Sequence, residues 1–193
     1  MGTPMESGPR RHRITVDEYH RMAEVGLFAP DARVELIEGE IIDMAPIGID
    51  HNSVVDQLTR LFVRAVGDDA IVRVQGSVRL GRMSEPQPDV VLLKPRADFY
   101  RSEFALGSDT LLVVEVSDST LRFDRDVKAP LYARYGVPEV WIVDLPNDRL
   151  IVYGGLRDGA YERCDTLDRP RSMRVAAMPA AAVELSAIFT DAG

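Results

Sequence analysis

Two acidic residues stand in apolar surroundings that should resist their charge. Asp89 opens the β-branched run Pro88-Asp89-Val90-Val91-Leu92-Leu93, and Glu115 interrupts Leu111-Leu112-Val113-Val114-Glu115-Val116. The second run reads as a strand buried on both faces. A buried carboxylate costs several kcal/mol unless a cation or hydrogen bonds compensate it. Side chains alternate along strands, so a neighbouring strand can bring Asp89 beside Glu115 on one face. Two carboxylates so placed suit a hard cation such as Mg²⁺, which accepts two carboxylates, a backbone carbonyl and solvent. An ammonium group beside them would complete the parts for hydrolysing a phosphodiester with metal-activated water. Lys128, on the segment after the Glu115 strand, is the candidate. Two plainer readings compete: Glu115 as one half of an internal ion pair, and Lys128 as the helical partner of Asp124, four residues earlier, which contributes only about 0.2–0.5 kcal/mol.

Regular elements must position these groups. Thr15 and Glu18 form a capping-box pattern ahead of a short stripe, Tyr19, Met22 and Ala23, that stops at Gly26. Val34 to Ile37 and Glu40 to Met44 flank Gly39 as a hairpin, with Glu35 and Ile37 on one face. After a loop from Ala45 to Asp50, apolar residues from Val54 to Val66 recur at helical spacing. Ile71 to Leu80 alternates as a strand with an irregularity at Gly76. Residues Asp124 to Tyr135 form a helix that Gly136 and Pro138 end, and Val140 to Asp144 is the next strand. Leu150 to Tyr153 and Ala160 to Arg163 form an antiparallel pair, 164–182 is weakly patterned, and Glu184 to Phe189 is expected as a short helix. Tyr132, Tyr135 and Trp141 read as core aromatics.

The chain has 193 residues, 46% of them apolar, enough for one core. A flexible tail over 1–13 and a single domain over 14–193 are expected. The net charge of −8 opposes long-range attraction to nucleic acid, which counts against a general DNA coat. One cysteine, Cys164, rules out an internal disulfide framework and fits a cytoplasmic protein. No apolar run approaches the roughly 18 residues that span a bilayer. Arg10, Arg11 and Arg13 read as a solvated basic tail.

Taken in order, Val34-Glu35-Leu36-Ile37-Glu38-Gly39-Glu40, Gln87-Pro88-Asp89-Val90, Val114-Glu115-Val116-Ser117-Asp118-Ser119-Thr120, Asp126-Val127-Lys128, Tyr132-Ala133 and Gly136-Val137-Pro138-Glu139-Val140-Trp141-Ile142-Val143-Asp144 resemble the Uma2 family of bacterial endonucleases. This family belongs to the PD-(D/E)xK, restriction-endonuclease-like class. The resemblance covers about residues 14 to 153. It implies an α/β fold, a central mixed sheet flanked by helices with an additional N-terminal hairpin. It also implies metal-binding carboxylates at Asp89 and Glu115, Mg²⁺ or Mn²⁺ as cofactor, DNA as substrate, and a homodimer that cuts two strands. One departure stands out. Ser117 occupies the position of the motif lysine, and Lys128 stands where this family places a substitute on the following helix. Glu35 and His51 fall at positions the family fills with the same types, Glu35 as a further metal ligand and His51 to contact phosphate or polarise water. A catalytically impaired relative, kept as a nucleic-acid-binding or dimerising module, is the alternative that Ser117 and the negative charge favour.

Overall fold

The computed structural model describes residue 9 and residues 11–44 and 46–189. The expected tail falls largely outside them. Arg13, however, is tied down, pairing with Glu40 and donating to the Glu38 carbonyl.

Six strands form the central sheet in the order β3-β4-β5-β6-β7-β8. These are β3 (Ile71–Val74), β4 (Val90–Leu93), β5 (Thr110–Ser117), β6 (Val140–Asp144), β7 (Arg149–Arg157) and β8 (Ala160–Asp168). All neighbours are antiparallel except β5 and β6, which run parallel. A parallel pair needs a long crossover. Here it is the helical segment 121–134, made of α3 (Leu121–Phe123), a π-helical turn (Asp124–Lys128) and α4 (Ala129–Arg134).

The near-continuous apolar runs of β4 and β5 are explained by a core on each face. On one face Val90, Leu92, Val114 and Trp141 pack against Val54, Leu58 and Phe62 of α2 (Ile49–Val66). On the other, Val91, Val113 and Ile142 meet Leu131 and Tyr132 of α4. The helix α1 (Val16–Glu24) carries the expected capping box between Thr15 and Glu18, and packs with β1 (Val34–Ile37) in a third cluster. β1 pairs with β2 (Glu40–Asp43) through a two-residue turn in which Glu38 and Gly39 both have positive φ, 49° and 79°. That conformation favours glycine, and a Cβ on Gly39 would also sit 2.8 Å from the Arg13 side chain.

Several boundaries differ from the sequence expectation. α2 begins at Ile49, inside the expected loop, so His51 lies in the helix's first turn. β3 stops at Val74, because Gln75 takes a positive φ of 47° and turns the chain out of the sheet. The weakly patterned stretch holds the end of β8, β9 (Ser172–Val175) and β10 (Met178–Glu184); β8 is exposed along nearly all its length and so lacks the alternation that marks a half-buried strand. Glu184 to Phe189 is no helix. Glu184 ends β10, and a turn carries Leu185, Ile188 and Phe189 into the first core. Trp141 and Tyr132 are core residues, whereas Tyr135 is 38% exposed.

Candidate active site

The five residues singled out by sequence all line one cavity of about 240 Å³. Four elements supply them. Val90 pairs with Val114, so Asp89, one residue ahead of β4, falls opposite Glu115 on the face of Val91 and Val113. Glu35 comes from β1, His51 from the first turn of α2, and Lys128 from the π-helical turn. In that turn the Ala129 N–H bonds the Asp124 carbonyl, five residues back. Such turns widen a helix locally and recur at functional sites. Here both Asp124 and Lys128 are buried.

Lys128 is therefore no surface partner of Asp124. Its Nζ lies 2.9 Å from Glu115 Oε1 and 3.3 Å from Glu35 Oε2. The internal ion pair considered for Glu115 is present, but as part of a larger acidic group. Ser117, in the place of the motif lysine, donates from Oγ to Asp124 Oδ2 at 2.7 Å, and Thr120 Oγ1 donates to the same oxygen at 2.6 Å.

A pattern runs through the four acids. Each is held through one oxygen: Glu35 Oε2 accepts from Gln87 N and contacts Lys128, and Asp89 Oδ2 accepts from Val116 N at 2.9 Å and contacts His51 Nε2 at 3.1 Å. Glu115 Oε1 accepts from Lys128 and from the Tyr132 hydroxyl at 2.6 Å. Asp124 is held as above. Their other oxygens, Glu35 Oε1, Asp89 Oδ1, Glu115 Oε2 and Asp124 Oδ1, make no hydrogen bond among the described residues, and none is sealed from solvent. The one sealed and unpartnered side-chain atom among the described residues is His51 Nδ1. Since a carboxylate only accepts, Nε2 is the protonated nitrogen facing Asp89.

The charges do not balance. Burial pushes Glu115 up to about 8; Lys128 opposes the shift, while Asp124, Asp89 and Glu35 reinforce it. Burial alone would pull Lys128 down, but Glu115, Glu35 and Asp124 hold it well above the usual lysine range. Lys128 thus stays charged, and the surplus negative charge is felt at Glu115. A divalent cation suits this surplus and the open oxygens. Among the described residues no three acids, histidines or cysteines already stand in ligating geometry. Asp89 and Glu115, with solvent, form the pair that fits an ion that keeps several waters.

Sequence reasoning missed Asp124 and Tyr132 as parts of the site. A signal was there: Asp124, Lys128 and Tyr132 recur every four residues on one helical segment, one face carrying acid, cation and hydroxyl.

Among the described residues no helix is long and apolar enough to cross a membrane. No curated protein matches the chain. In fold it is similar to a crystal structure at 1.96 Å from Anabaena variabilis ATCC 29413, described as a "putative nuclease belonging to DUF820". The two are 17% identical with a TM-score of 0.69, the likeness covering 91% of this chain and 97% of that one. The fold expected from sequence, a mixed sheet flanked by helices, is the fold observed. The family model described as "Putative restriction endonuclease" matches residues 16–187, and with that match across the ordered acids, the buried lysine and the sheet that carries them, the chain belongs to the Uma2 family.

Proposed function

We propose that the protein is a nuclease that hydrolyses phosphodiester bonds in DNA with water, using Mg²⁺ or Mn²⁺ held by Asp89 and Glu115. The observation that carries this reading is a cavity lined by four acids and one buried lysine, each acid with one oxygen held by a donor and the other making no hydrogen bond among the described residues. The family and the nuclease-like neighbour support it.

When bound, the cation supplies positive charge for the phosphoryl oxygens and a more acidic water. The chain does the positioning. Val116 N–H and His51 fix Asp89, so the orientation of its open oxygen is set before any ligand arrives. Lys128, held between Glu115 and Glu35, is a fixed ammonium beside the space where a phosphate would sit. It stabilises charge developing on phosphorus-bound oxygens and is a poor free base, since the acids around it keep it charged. Water gives up a proton to solvent as its oxygen bonds to phosphorus, one P–O bond breaks, and the departing oxygen takes a proton from solvent. The products are an alcohol and a phosphate monoester.

The decisive experiment incubates plasmid and single-stranded DNA with the protein in Mg²⁺ or Mn²⁺, then with chelator. Metal-dependent cleavage that Asp89→Asn abolishes is the expected result. No cleavage under any condition, with no metal binding by calorimetry, replaces this reading with that of a nucleic-acid-binding or dimerising module. A homodimer fits the cutting of two strands, and the sheet has outer strands β3 and β8 for a partner. Light scattering at micromolar concentration should give twice the chain mass of 21.4 kDa.

A further inference from the structure

We propose that Tyr132 is a positioning residue which, with Lys128, clamps Glu115 by Oε1 and thereby commits Oε2 to the cavity as the ligand oxygen. This rests on the metal-dependent reading above.

A carboxylate on a strand can rotate about its terminal torsion and present either oxygen, because that torsion is broad and two-fold. Glu115 has lost this freedom. The Tyr132 hydroxyl donates to Oε1 at 2.6 Å and Lys128 Nζ reaches the same atom at 2.9 Å, from successive turns of the crossover helix. The hydroxyl and the ammonium are both donors, so exchanging the oxygens would only re-create the arrangement. Any intermediate rotation breaks two bonds to a buried group. Tyr132 is itself fixed, fully buried among Val113, Leu131 and Ile142. Its hydroxyl has the carboxylate oxygen as its acceptor. The site therefore needs an aromatic with a hydroxyl at this position, not merely an aromatic that fills the core. Outer groups that orient a ligand commonly change metal affinity by about 10–100-fold when removed.

Tyr132→Phe deletes one atom and keeps the ring. Titration calorimetry with Mn²⁺ should show Kd weakened by about tenfold or more relative to the unaltered protein. DNA cleavage should return toward the unaltered rate as Mn²⁺ is raised, a rescue that a damaged core would not show. An unchanged Kd overturns the proposal. A crystal structure of the unaltered protein with Mn²⁺ tests it without any variant. Glu115 should ligate through the oxygen that Tyr132 does not touch, and ligation through Oε1 overturns the clamp. Should the unaltered protein bind no Mn²⁺ at all, the metal-dependent reading fails. The metal-free crystal structure of Tyr132→Phe then decides the clamp alone: a rotated Glu115 sustains it and an unmoved one removes it.

Discussion

Glu115 and Glu139 are both buried, both adjoin the parallel pair of strands, and both are pushed upward by burial. Their oxygens differ. Glu139 Oε1 accepts from Trp141 Nε1 at 2.7 Å and Oε2 from Ala176 N at 2.6 Å, so both ends of the carboxylate tie the loop between β9 and β10 to the sheet. Glu115 has both of its donors on Oε1. Burial alone thus separates nothing. A carboxylate whose oxygens are both used is part of the scaffold, and one with an open oxygen beside a cavity retains capacity for a ligand.

The comparison breaks most severely at Lys128. Lys128→Ala leaves Glu35, and Glu115 once it ionises above about pH 8, without their cation in the interior. A buried charge stripped of its partner costs about 3–5 kcal/mol, so urea denaturation should show a loss of that size along with loss of cleavage. A loss below about 1 kcal/mol would show that the acids are already neutral or wet.

The Glu115 carboxyl sharpens the contrast through pH. Its native value, about 8, lies above the ordinary glutamate value of 4.5, so over that interval the folded protein holds a proton the unfolded chain has released. Unfolding free energy then falls as pH rises from about 4.5 to about 8 and levels off above it. Lys128 stays charged throughout and adds no slope there. Denaturation in chelator across pH 5 to 8 should show this decline, and Glu115→Gln should flatten it. A stability that rises through the same range would contradict a raised Glu115.

At Glu139 the expected loss is smaller and of another kind. Glu139→Ala strands the buried Trp141 donor, about 1–3 kcal/mol, whereas the N–H of the exposed Ala176 turns to water. Cleavage per folded molecule should stay at the unaltered rate below the melting transition. Lost activity in fully folded Glu139→Ala would erase the distinction between the two glutamates.

Much of this was legible in the residues. Apolar runs around Asp89 and Glu115 announced buried strands, and side-chain alternation allowed the two to share a face, while the antiparallel register that sets them opposite each other is a property of the folded sheet. Glu35, His51 and Lys128 arrive at the same cavity from three other elements. The role of Asp124 stayed hidden because helical spacing assigned it to Lys128 as a surface partner, while its actual donors, Ser117 and Thr120, precede it in a strand end and a loop. The four-residue recurrence of Asp124, Lys128 and Tyr132 puts them on one face, but nothing in five residues marks the π-helical turn in which Asp124 and Lys128 are buried. Tyr132 showed its apolar ring and not its hydroxyl's destination. The end of β8 escaped because it is exposed, and β9 and β10 because their few buried residues, Val175, Ala181 and Val183, lie too sparsely among alanines and polar residues to mark a strand.

The smallest effect belongs to a second cation on the crossover helix. Arg134 Nη1 pairs with Glu38 Oε1 at 2.8 Å, so it joins the same helix to the same hairpin as the Lys128–Glu35 contact does. Elements and charges match; exposure does not. The side chains are 50% and 49% exposed in the Arg134 pair and 3% and 3% in the Lys128 pair. Water solvates the exposed partners before and after the pair forms, and two long side chains lose rotamer freedom in forming it, so such a pair contributes about 0–1 kcal/mol. Removing Arg134 strands no charge, because Glu38 simply rehydrates. Arg134→Ala should therefore shift the denaturation midpoint barely at all, and the small difference from the unaltered protein should vanish at about 1 M salt, where the Debye length is about 3 Å. The Lys128→Ala loss should persist at that salt concentration, since mobile ions do not enter a sealed pair. Equal losses for the two variants, or equal salt sensitivity, would mean that burial does not set the worth of these pairs and that Lys128 is as wet as Arg134.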